Sequence, residues 1–61
     1  MNWTERNNMF LSAPYRIYRS VSGFECWHYG KTSFVIARQV TTIKRAKEIC
    51  EEHKAKEATH A

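Results

Sequence analysis

Aspartate is absent from this sequence, and it has only two glycines and one proline in 61 residues. No paired-carboxylate motif is present, and two isolated glycines cannot build a phosphate-cradling loop. Catalysis therefore has no motif to rest on, and no catalytic residue is assigned. Long apolar runs are missing too. The longest, Phe34-Val35-Ile36-Ala37, falls far short of the roughly 20 residues a membrane-spanning helix needs. Met1–Arg6 lacks the basic and apolar regions of a secretory signal, so a soluble, cytoplasmic protein is expected. In that reducing setting the two cysteines are expected as thiols or ligands, not as a disulfide.

What the chain does have is aromatic rings and positive charge. A single domain over residues 1–61 buries only about 60% of its unfolded surface. The eight aromatics (Trp3, Phe10, Tyr15, Tyr18, Phe24, Trp27, Tyr29 and Phe34) compensate with large area per residue. The net charge of +4 favours an acidic partner, either nucleic acid or an acidic protein surface.

Helical periodicity occurs in one stretch. Ile43, Ala46, Ile49/Cys50 and His53 form an apolar stripe, which predicts a helix over 41–55 and a fraying tail over 56–61. Thr41 and Thr42 both precede the stripe, and either hydroxyl can cap it. Lys44, Arg45 and Lys47 crowd the first turns, where exposed cations cost roughly 0.3–1 kcal/mol each and an anion is welcome. Glu51-Glu52 reads as a solvated surface.

Upstream, residues 15–38 read as a β-meander. Tyr15–Arg19, Phe24–Tyr29 and Ser33–Arg38 are rich in aromatic and branched residues and are separated by glycine-containing turns. Within the N-terminal segment, 1–14, Met9-Phe10-Leu11 suggests a fourth, edge strand ended by Pro14. Trp3–Arg6 reads as a helical turn or as a segment lying across the domain. The expected fold is α+β: a three-stranded antiparallel sheet, or a four-stranded one, packed on one C-terminal α-helix.

The turn sets the register. A two-residue turn at Ser22-Gly23 pairs Tyr18 with Trp27 and Arg16 with Tyr29; a three-residue turn, Val21–Gly23, pairs Ile17 with Trp27 and Arg19 with Glu25. The first is preferred because it offers the helix Ile17, Phe24 and the small Cys26. Arg16, Tyr18, Trp27 and Tyr29 then share the other face, with Lys31 and Arg38 at its margins. Interleaved cations and rings suit phosphates and bases. The competing reading has Trp3 and Met9–Leu11 folded over that face as a second small core.

Cys26-x-His28 and Cys50-x-x-His53 form the one set with ligand chemistry. If the strand and helix faces meet, two thiolates and two imidazoles could hold zinc. The simpler reading makes the cysteines small buried hydrophobes and places the histidines at the core edge. No cofactor is expected, with zinc as the lesser alternative. A Cys50–His53 dyad has no evident third group to orient it.

Tyr15-Arg16-Ile17, Gly23-Phe24, Trp27, Thr42, Ala46 and Cys50-Glu51-Glu52-His53 together resemble a pattern of small phage and prophage proteins. The layout is also similar to the arm-type DNA-binding domain of tyrosine recombinases and to AP2-type domains, which dock a three-stranded sheet in the major groove. The resemblance implies sheet contacts through Arg16, Tyr18 and Trp27, and a regulatory or host-takeover accessory in the host cytoplasm. Together with the charge it gives the expectation of a small nucleic-acid-binding domain using Arg16, Tyr18, Trp27, Tyr29, Lys31, Arg38, Lys44, Arg45 and Lys47. The alternative is a protein-interaction module that modulates a host protein, with homodimerisation as a variant. Neither an enzyme nor a membrane partner is expected.

Overall fold

Asn7 and Asn8 both have positive φ, 49° and 63°. Asparagine tolerates the left-handed region, and two such residues in succession make the type I′ turn that matches strand twist. The turn joins β1 (Thr4–Arg6) to β2 (Met9–Ser12), with Arg6 opposite Met9. The computed structural model, which describes residues 2–59, thus places a strand where the sequence suggested a helical turn or a crossing segment. Ala13–Pro14, a cis peptide, links β2 to β3 (Tyr15–Ser20). β4 (Gly23–Tyr29), β5 (Ser33–Val40) and the helix α1 (Ile43–Thr59) complete the chain. The five strands form one antiparallel meander in sequence order, packed against the C-terminal helix. The α+β class is as expected; the fourth strand suggested at Met9–Leu11 forms as β2, β1 adds a fifth, and the helix starts at Ile43 and runs past 55, through part of the expected tail. His60 and Ala61 lie outside the described residues.

The β3–β4 register differs from both anticipated ones. Ser20 pairs with Gly23, Ile17 with Cys26, Arg16 with Trp27 and Tyr15 with His28, so the two-residue turn is Val21-Ser22. Gly23 is a strand residue whose φ of +135° brings β5 close: a Cβ there would lie 2.5 Å from the Val40 carbonyl oxygen. The Ser20 hydroxyl donates to the Gly23 carbonyl at 3.0 Å and closes the turn. Relative to the preferred register, each residue's partner has moved by two positions. A one-residue slip inverts a strand's faces, whereas a two-residue shift preserves them. Tyr15, Ile17, Cys26 and His28 therefore still share one side, and Arg16, Tyr18, Trp27 and Tyr29 the other.

The pairing of β5 with β4 shifts twice, between Phe24 and Cys26 and between Cys26 and Trp27. Bulges of this kind bend a strand. Gln39, with φ of 57°, lies in the first of these, and Val40 returns to pair with Phe24 and is buried. Of the two candidate caps, Thr42 acts. Its Oγ1 accepts from the Arg45 N–H at 3.2 Å, and its carbonyl accepts from the Ala46 N–H at 3.1 Å.

The core sits between the helix and one sheet face. Phe10, Tyr15, Ile17, Cys26, Val40, Ala46 and Cys50 are buried, and Trp3, Phe24, Ile36, Ala37, Ile43 and Ile49 pack against them. Small residues at the contact let the helix approach closely. The Cys26 thiol reaches the Ala46 carbonyl at 3.5 Å, and both residues are fully buried. Trp3 packs on this core, and β2 extends the sheet sideways; neither folds over the opposite face. Among the described residues no helix is long and apolar enough to cross a membrane.

Candidate nucleic-acid interface

Residues directly opposite in antiparallel strands share a face. That places Thr4, Leu11, Arg16, Trp27 and Val35 in one cross-strand row on the side away from the helix. Arg6, Met9, Tyr18 and Glu25 make the next row, and Tyr29 with Ser33 flanks the first. Among the described residues no element lies over this face, because the helix is committed to the other one. Tyr18, Trp27 and Tyr29 are half-buried by their neighbours alone.

The rings are ordered by each other. Trp27 stacks on Tyr29 with centroids 6.0 Å apart and planes 24° apart, and Tyr18 meets Trp27 edge-on at 6.5 Å. The Arg16 guanidinium lies over the Tyr29 ring, 4.7 Å from its centroid. Such a cation–π contact is worth about 0.5–1 kcal/mol at an exposed site and fixes the orientation of the charged plane. The two tyrosine hydroxyls are 2.9 Å apart. Bonds from Tyr29 and then Arg16 hold the Tyr18 hydroxyl below its usual range, and the bond to Tyr18 pushes Tyr29 up. Either hydroxyl can be the donor of the pair. Indole Nε1 of Trp27 donates to Glu25 Oε1 at 3.2 Å. No carboxylate among the described residues forms an ion pair with Arg16.

Beside this stack lies an open notch of about 290 Å³, lined by Leu11, Ala13, Pro14, Tyr15, Arg16 and Tyr29. The Tyr29 N–H donates to the Pro14 carbonyl at 2.7 Å and ties the two turn ends together. Lys31, exposed in the β4–β5 turn, lies at the same end of the sheet. Sequence reasoning missed Leu11, Pro14 and Arg6 as parts of this surface. Asn7-Asn8 was the available signal: read as a type I′ turn, it makes Met9–Ser12 a regular strand beside β3, with Met9 and Leu11 on the open face.

The remaining expected contacts are scattered. Arg38 is exposed on β5 in the same irregularity as Gln39. Lys44, Arg45 and Lys47 belong to the helix on the far side of the sheet. Arg45 pairs with Glu48 and Glu52, and the Lys47 ammonium sits 5.3 Å from the Phe10 ring centroid. The structure thus does not bring the helical cations to the face of Arg16. Nor does it assemble Cys26, His28, Cys50 and His53 as ligands: among the described residues no three His, Cys, Asp or Glu side chains are placed to hold a metal ion. Both thiols are free and buried, and the Cys50 thiol is pushed up by its hydrogen bond with Cys26 and then by burial. The histidines join a ring cluster instead. His53 Nδ1 lies 2.8 Å from the Tyr15 hydroxyl, and His28 stacks on Phe34 at 4.9 Å.

Comparison with protein-family models, curated proteins and solved structures finds no match to this chain.

Proposed function

We propose that this is a small nucleic-acid-binding accessory domain that uses the open face of its sheet. One observation carries the reading. An uncovered face holds a ring stack, Trp27 on Tyr29, beneath a guanidinium with no carboxylate partner. Arginine in this setting presents a forked donor to phosphate, and the rings offer apolar and π surface to bases. The net charge of +4 assists the encounter. Arg16, Tyr18, Trp27 and Tyr29 carry the contact, with Arg6 and Lys31 on the rim; the helix braces the sheet from behind.

The test is fluorescence anisotropy at low salt with a mixed set of labelled oligonucleotides, single-stranded and duplex. Binding that weakens with added salt and drops in Arg16→Ala supports the reading, since removing one phosphate contact lowers both affinity and salt dependence. Absence of binding to every probe at low salt overturns it and leaves a protein partner as the explanation of the exposed rings.

A further inference from the structure

The polar atoms of the open face are mostly occupied. Tyr18 and Tyr29 bond to each other, and the Trp27 indole N–H is used by Glu25. That leaves Arg16 as the side chain in the middle of the face with donors to offer a base edge or a phosphate. What the face still presents is π surface, apolar wall and one oriented guanidinium. In a duplex the base faces are stacked on each other and closed to such a surface; in a single strand they are open to it.

Charge placement agrees. Arg16 sits among the rings on the central strand, and Arg6 and Lys31 lie toward opposite ends of the face. Glu25 lies in the row beside Trp27 and disfavours a phosphate chain across that part of the face. The phosphates are thereby directed to the Arg16 end, where the notch of about 290 Å³ opens between Leu11, Pro14, Arg16 and Tyr29. That volume is at the small end of ligand pockets, and its wall is mostly apolar, with Arg16 as its charged side chain.

We infer that the ligand is single-stranded nucleic acid, bound with little base preference: bases lie on the Trp27–Tyr29 platform, one base enters the notch, and Arg16 holds the adjoining phosphate. This inference rests on the proposed nucleic-acid role and names its substrate class. Ribose and deoxyribose strands share the chemistry, because neither the platform nor the guanidinium addresses the 2′-hydroxyl.

The experiment titrates wild-type protein into labelled 12-nucleotide oligo-dT and oligo-U and into a 12-base-pair duplex, at one fixed low ionic strength. Both single strands are expected to bind at least about tenfold more tightly than the duplex, and Trp27→Ala to remove most of that margin while Trp27→Phe retains it. Circular dichroism checks that each variant folds, and the wild-type comparison stands without either variant. Equal or tighter binding of the duplex overturns the single-strand inference and leaves the nucleic-acid role in place. A preference of about tenfold or more for one sugar overturns the indifference to the 2′-hydroxyl. No binding to any of the three probes overturns both the inference and the role beneath it.

Discussion

A Cβ at position 23 would lie 2.5 Å from the carbonyl oxygen of Val40, and the residue's φ of +135° belongs to a region that side chains rarely enter. Both effects act against Gly23→Ala, which should lose on the order of 1–3 kcal/mol in urea denaturation. A variant as stable as wild type would mean that β5 does not approach there. The glycine was legible in the sequence as a special position but was assigned to the turn, because a hairpin signal and a strand-crossing signal look alike without the partner strand. Tyr15 allows a second residue-level expectation. Burial, then the charges of Cys50 and Glu57, hold its hydroxyl above the usual tyrosine value. A raised pKa means that the folded chain keeps a proton the unfolded chain releases. Its stabilising contribution is therefore complete below about pH 10 and is lost as pH rises through the folded value. The urea midpoint should fall as pH rises above about 10, and less steeply in Tyr15→Phe. Parallel pH profiles for the two proteins would contradict this.

At the scale of elements, the helix was the most legible part and the N-terminal hairpin the least. Ile43, Ala46, Ile49 and Cys50 repeat at 3.6-residue spacing and face the core, as periodicity implies. β1 has three exposed residues and no alternation to read, so only Asn7-Asn8 announces it. The bulges of β5 had no sequence mark either, since they arise from how β5 passes Gly23 and the helix rather than from local propensity. Two threonines competed for the cap, and sequence could not separate them. The hydrogen bonds assign it to Thr42. Thr42→Ala should cost about 1 kcal/mol, and Thr41→Ala less than about 0.5 kcal/mol. Paired urea curves check the difference, and equal effects would show that the cap is shared. The basic first turns, unfavourable beside a helix N-terminus, are relieved in part by Arg45 meeting Glu48 and Glu52. These are exposed pairs, so the relief is small.

For the whole molecule, the decisive property is the segregation of its two charged surfaces by the sheet. Alternation along β3 and β4 made the aromatic–basic face legible even though the register was not, because the shift was by two positions. What alternation could not show is which other cations join that face; this depends on where the helix docks and on the strand added by β1. Arg6, Arg16 and Lys31 lie on or beside the open face, while Lys44, Arg45 and Lys47 sit behind it. Counterion release turns this arrangement into a measurable slope. About three phosphate contacts on a single strand give a slope of log affinity against log salt near −2, whereas engaging all six cations would give about −4. Arg16→Gln should make the slope shallower by about 0.7, and the triple change Lys44→Gln, Arg45→Gln, Lys47→Gln should leave it unchanged within about 0.3. The triple variant keeps the Thr42 cap and the apolar stripe, and circular dichroism checks that it folds without the Lys47–Phe10 contact and the Arg45 pairs. A slope near −4 that collapses in the triple variant would place the ligand on the helix and move the binding site to the other side of the sheet.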